Sequence, residues 1–282
     1  MLSVRAGAHR ATRRSYPIPA QNIQTAAAQS RNETAERRGG GAATLEGMLF
    51  VTGVIALNLY AAVLVVLRAL VYRTRLYRPM LWNVWLSVLP VFILLAGFIA
   101  GAILMQFDAL PARVAWIATG IVWLLLLPNA SYLITELNFS HREEDDPVPL
   151  WYDIVLVITL AMSGVVNTVV NVLIVHIIAS IVVFGDSLDA ITRPASWIAV
   201  ACVLLLLGLG MYLGRYLRLN SWDVKHPIGF ARKVLAHFRS RQHLLACAGF
   251  SVTYAIFLGL IYLIVGGLAI DGMSALELAR SS

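Results

Sequence analysis

One feature recurs six times in this chain: a run of about twenty residues almost free of charge, the length at which a helix crosses the hydrocarbon of a bilayer. The runs cover about 48–67, 81–105, 113–133, 151–184, 196–217 and 244–270. In hydrocarbon every backbone N–H and C=O must be bonded within the chain, so runs like these fold as helices. Only 13% of the 282 residues are charged, against roughly 25% in soluble domains. The expected fold is all-α, a polytopic membrane protein built as a bundle of six transmembrane helices.

The fourth run is too long for a simple crossing. Trp151 to Phe184 is 34 residues, about 51 Å of helix against a core of roughly 30 Å. It must tilt, break or project. Pro90 and Pro128 each remove a backbone donor inside a run and predict a kink.

The flanks differ in composition. Residues 1–45 hold seven arginines against two glutamates and have no apolar centre, so they are expected to be a disordered basic tail and not a secretory signal. Residues 46–272 are expected to form the membrane domain and 273–282 a short C-terminal tail. Most of the net charge of +7 sits in the first tail. No folded face interleaves basic and aromatic residues, so a nucleic-acid partner is not expected. Cys202 and Cys247 lie in apolar runs without CxxC spacing and read as small buried hydrophobes. Twenty arginines against two lysines hint at a GC-rich, bacterial source.

Six crossings put connections one, three and five on one side. Connections one and five carry most of the short-loop positive charge, and the positive-inside rule then makes that side cytoplasmic and both termini external. An inner, cytoplasmic membrane is the expected location. Whatever the orientation, chain parity assigns several polar helix ends to one rim. These are Asn83 on the second run, Asn129–Glu136 on the third, Asp153 on the fourth and Arg215–Asp223 on the fifth.

Within that rim, Asn129, Tyr132 and Glu136 are spaced three and four apart and share a face if the helix persists past Pro128. Arg215, Arg218 and Trp222 do the same at the end of the fifth run, beside Asn220 and Asp223. Two readings apply. In one, Glu136 and Asp153 pair with Arg215 and Arg218 and pin the helix ends, since intramembrane charges normally pair with one another. In the other, the guanidinium forks hold an anion of lipid-phosphate type, with Asn83, Asn129, Tyr132, Asn220 and Trp222 around it. Glu136, Asp153 and Asp223 are then the candidates for general acid and base.

A second pattern runs along the fourth helix, where Thr159, Ser163, Asn167 and Asn171 recur every four residues and His176 and Ser180 extend the series. Such a ridge faces the bundle interior or a wet cavity. It serves either interhelical hydrogen bonding or a polar path across the membrane. His141 and its acidic neighbours lack the spacing of a known metal site and read as a solvated loop; no metal and no cofactor are expected. Gly210 and Gly214 form a small-xxx-small pair that permits close packing. No P-loop, GxSxG or GxGxxG stands before a helix, so nucleotide-driven transport and the common hydrolase sites have no support in the sequence.

The strings LWNVWLSVLP (81–90), WLLLLPNASYLITEL (123–137), PLWYDIVL (149–156) and GMYLGRYLRLNSWDV (210–224) resemble the domain-of-unknown-function 1361 (DUF1361) family of bacterial integral membrane proteins over roughly residues 48–230. Glu136 stands where the resemblance leads one to expect an aspartate, and Ser131 where a small residue or proline is expected. The resemblance implies the membrane fold and its topology. It implies no reaction. Three function classes stay open: an anionic-ligand site or membrane-embedded enzyme at the rim, a small-solute transporter using the fourth-helix ridge, and an assembly partner without chemistry. Substrate and oligomeric state are not written in the chain.

Overall fold

The computed structural model of the protein describes residues 20–76, 78–134, 147–185, 188–217 and 227–281. Among them the backbone forms eight helices: α1 Ala20–Val71, α2 Arg78–Met105, α3 Ala109–Tyr132, α4 Leu150–Phe184, α5 Leu188–Thr192, α6 Pro194–Leu217, α7 Pro227–Phe238 and α8 Arg241–Ser281. Six of these contain segments long and apolar enough to cross a membrane, namely Leu45–Val71, Arg78–Met105, Ala109–Ser131, Leu150–Phe184, Pro194–Tyr216 and Arg241–Ile270. The expected all-α six-span bundle is the observed one.

Unlike a soluble protein, the bundle exposes apolar side chains all along its spans and buries several polar ones within its apolar core. Exposed side chains along the spans include Phe92, Leu95, Ile99, Ile117, Leu125, Ile158, Leu206, Leu260 and Ile264, while Ser87, Ser131, Asn167, Thr168, Asn171 and His176 are buried. An apolar exterior around a core that carries polar side chains among its apolar ones suits lipid on the outside and hydrogen bonding within.

Two ends of the bundle are distinguishable by their contacts. At one, Arg68 near the end of α1 meets Asp153 at the start of α4, and Tyr212 near the end of α6 meets His243 at the start of α8. At the other, Ser180 near the end of α4 bonds Ser196 at the start of α6. These pairings follow the parity of the connections. Asp108 caps α3 by accepting from the Leu110 N–H at 3.0 Å, one of the orphan donors of a helix start.

α4 runs unbroken for 35 residues, about 52 Å, so the excess over the bilayer core is taken up by tilt or projection and not by a break. α1 is helical from Ala20, into the segment whose composition points to disorder; alanine, glutamine, glutamate and arginine are strong helix formers there. α8 likewise continues to Ser281, through the short C-terminal tail. A helix over Pro227–Phe238 was not expected in the basic fifth connection.

Of the Gly210/Gly214 pair only Gly210 is closely packed, and Gly208 joins it. A methyl at Gly208 would stand 2.7 Å from the Ser251 carbonyl oxygen of α8, and one at Gly210 would stand 2.6 Å from Pro128 Cγ of α3. Gly214 meets nothing within 4 Å. In the α2–α3 hairpin, Gly97 and Gly101 sit on Thr119 and Trp116, another small-xxx-small pair. Because the obstacle at Gly208 is backbone and cannot swing aside, Gly208→Ala is expected to cost about 1 kcal/mol. Thermal unfolding in detergent checks this, with Gly214→Ala expected to be neutral.

Candidate functional site

The rim where the odd connections leave the bundle is built on a small apolar cluster. Ala61, Leu64 and Val65 of α1, Val84 of α2, Leu133 after α3, and Tyr152, Leu156 and Leu160 of α4 pack together. Tyr152 fixes α4 to α1 by donating its hydroxyl to the Leu64 carbonyl at 2.8 Å, and its ring meets Tyr72 edge-on.

On this cluster sits the rim's buried charge. Asp153 is 7% exposed and accepts from Arg68 Nε at 2.8 Å, with Arg68 Nη2 3.5 Å from the second carboxylate oxygen. Arg68 also reaches the Thr74 hydroxyl at 3.4 Å, and that hydroxyl donates back to the Arg68 carbonyl at 3.2 Å. The turn after α1 is thereby folded around its own arginine. Asp153 also lies in the first turn of α4, where a carboxylate suits the positive helix end.

The ion-pair reading expected Arg215 and Arg218 opposite Asp153 and Glu136; Arg218 and Glu136 lie outside the described residues. Asp153 engages Arg68, and Arg215 is exposed at the end of α6 with no ion pair among the described residues. The C-terminal turn of α1 lies directly against the N-terminal turn of α4, which brings Arg68 to Asp153. Sequence reasoning counted Arg68 only as loop charge. Parity placed it on the Asp153 rim, and its position at the end of an apolar run was the available signal.

The other candidates fall as follows. Asn83 and Asn129 are half-buried on α2 and α3. The α-helix of α3 ends at Tyr132, and Leu133 and Ile134 follow in a tighter turn, both buried, with Leu133 against Gly164 of α4. The shared helical face therefore carries Asn129 and Tyr132 in register, with the Tyr132 side chain outside the described set. Glu136, Arg218, Asn220, Trp222 and Asp223 lie outside the described residues, as does His141 with its acidic neighbours.

The α4 ridge is bonded mainly across helices. Asn58 of α1 and Asn167 of α4 exchange side-chain bonds, Asn58 Nδ2 donating to Asn167 Oδ1 at 2.9 Å and Asn167 Nδ2 donating to Asn58 Oδ1 at 2.8 Å. Asn167 Nδ2 also reaches Ser87 Oγ of α2 at 2.7 Å, and Ser87 donates to the Ala130 carbonyl of α3. Asn171 donates to the Asn167 carbonyl and accepts from Trp123 Nε1 at 3.0 Å. Thr168 donates to the Gly164 carbonyl, so its bond with Ser131 at 2.7 Å must be donated by Ser131. Farther along, His176 Nδ1 meets the Tyr262 hydroxyl at 2.6 Å. Thr159 and Ser163 bond back to their own helix. A polar path along this ridge would require these bonds to open; as they stand, they join α1, α2 and α3 to the centre of α4.

Two cavities lie toward the opposite end, both with apolar walls. One of about 410 Å³ lies between Trp197–Leu205 of α6 and Val252–Leu263 of α8, and one of about 180 Å³ lies between α4 and α6 near Ser180 and Ser196. No group of three or more His, Cys, Asp or Glu side chains is placed to hold a metal among the described residues.

The family model described as "Protein of unknown function (DUF1361)" matches residues 82–261. No curated protein and no solved structure matches the chain.

Proposed function

This chain belongs to the DUF1361 family, and from that premise we propose that it binds an anionic, lipid-phosphate type headgroup at the odd-connection rim. The observation that carries this reading is the separation of Arg215 from Asp153. The buried carboxylate nearest the rim is engaged by Arg68, which leaves Arg215 exposed and without a carboxylate among the described residues. A guanidinium at a membrane boundary suits the bidentate geometry of a phosphate.

The surroundings support the same sign of ligand. From Val224 to Ile270 the chain contains no aspartate or glutamate, while Lys225, Arg232, Lys233, Arg239 and Arg241 fall in its first part. By the positive-inside rule this rim is cytoplasmic, in an inner membrane with both termini external. Arg218, Asn220 and Trp222 follow Arg215 in sequence and belong to the same proposed site, with Asn83, Asn129 and Tyr132 lining it. If the site is also catalytic, Glu136, Asp153 and Asp223 are the carboxylates for proton transfer, Asp153 being the one that Arg68 holds in place.

Native mass spectrometry of the full chain, purified beside its Arg215→Gln variant from phosphatidylglycerol-containing membranes, tests the proposal. Retained anionic lipid is expected to fall about fivefold, the equivalent of the ~1 kcal/mol that one arginine contributes near an anionic surface. Equal retention by both proteins overturns the proposal.

A further inference from the structure

α7 is a twelve-residue helix tied between two membrane spans. The turn Arg239–Ser240 leads directly into α8 at Arg241, so α7 cannot move far from the bilayer surface. Its helical register separates two kinds of residue. At 100° per residue, Val234 and Phe238 fall on one side, while Arg232, Leu235, Ala236 and Arg239 share an arc of about 100° on the other. An exposed arc that sets a leucine among arginines suits a helix lying in a membrane interface.

The way α7 is fastened decides which part of it faces outward. Tyr212 of α6 places its hydroxyl 3.1 Å from His237 Nε2 and stacks loosely on Phe238. His243 of α8 lies parallel on the His237 ring, with centroids 4.2 Å apart. Its Nδ1 is 3.1 Å from the His237 carbonyl, and since a carbonyl only accepts, that nitrogen carries the proton. The bond satisfies one of the orphan carbonyls at the end of α7. With the His237–Phe238 end held against α6 and α8, an outward stripe remains of Arg232, Leu235, Ala236 and Arg239, all exposed, and Arg241 follows it. Leu235 is 72% exposed, a position that water would not favour for a leucine.

We infer that α7 is an in-plane helix that grips an anionic lipid leaflet, Leu235 entering the headgroup–acyl boundary while Arg232, Arg239 and Arg241 bind lipid phosphates. The occupant is lipid because α7 is continuous with a membrane span on the side of α8. It is anionic lipid because the stripe's charges are all positive and no acidic residue lies between Val224 and Ile270 to neutralise them. The inference stands apart from the Arg215 site, since it uses a different helix and a different contact.

Amide hydrogen exchange of the full chain in nanodiscs is the test. Discs of phosphatidylcholine are compared with discs of phosphatidylcholine mixed with phosphatidylglycerol. Exchange over 227–238 is expected to slow severalfold in the anionic discs, and the contrast to shrink in high salt. Arg232→Gln combined with Arg239→Gln should remove most of the contrast while leaving the six spans protected, each arginine being worth about fivefold. Leu235→Glu should raise exchange in both lipids. Equal protection of α7 in neutral and anionic discs overturns the inference, and so does protection that depends on protein concentration, which would make a second copy the occupant. Arg215→Gln is expected to leave the α7 contrast intact, so the two readings fail separately.

Discussion

Asp153→Leu is expected to destabilise the protein by about 3 kcal/mol, the lower end of what removing one member of a buried ion pair costs. The physical reason lies in what remains. Arg68 would keep its charge beside the apolar cluster of Leu64, Tyr152 and Leu156 without the carboxylate that now faces its Nε at 2.8 Å. The lower end applies because 24% of the Arg68 side chain still meets solvent. Arg68→Met combined with Asp153→Leu is expected to recover most of the loss, since an apolar pair of similar volume often matches a buried ion pair. Thermal or denaturant unfolding in detergent of the wild type, both single variants and the double variant gives the coupling directly. If the single variants unfold with the wild type, the pair does not hold the rim together.

Asn167→Leu is expected to cost about 2 kcal/mol, from three interhelical side-chain bonds at roughly 0.6 kcal/mol each. Its partners have fallback bonds, which keeps the loss from being larger. Asn58 Nδ2 also bonds the Val54 carbonyl at 2.9 Å, and Ser87 donates to the Ala130 carbonyl. What is orphaned is the Asn58 Oδ1 acceptor, in the middle of the membrane. Asn167 has seventeen residues of α4 on either side, so the damage falls on the contacts of α1 and α2 and not on a helix end. The same unfolding series reads this out. In proteoliposomes the variant is expected to leave small-solute flux unchanged, and a change in flux would instead mark the ridge as a transport path.

Much of the bundle was legible because its causes are local. A run such as Leu81–Met105 can be nothing but a helix in hydrocarbon, and its observed start at Arg78 differs by three residues. The α4 ridge was legible for the same reason, since a four-residue spacing puts Thr159, Ser163, Asn167 and Asn171 on one face of any helix, and all four are buried. The partners were not legible. Asn58 and Ser87 are among the few polar residues of their apolar runs, with no extended ridge like that of α4 to announce a role. Gly208 stood unnoticed beside Gly210, because which glycine touches a neighbour depends on helix rotation. α7 was hidden in a basic connection, where its charges spoke more loudly than its twelve-residue amphipathic pattern.

Of the rim, the sequence named Asp153 and Arg215, and one of its two readings set Glu136 and Asp153 together against Arg215 and Arg218. Parity fixes which end of the membrane a residue occupies and says nothing about its position around that end. By itself the chain determined the number of spans, the common rim and the polar face of α4, because hydrophobic length, connectivity and helical period are properties of a single strand of residues. Which arginine reaches Asp153, which amide meets Asn167 and which side of α7 looks outward were decided only when six helices packed. Those contacts depend on the rotation and tilt of each helix against its neighbours, and no local stretch of sequence contains that information.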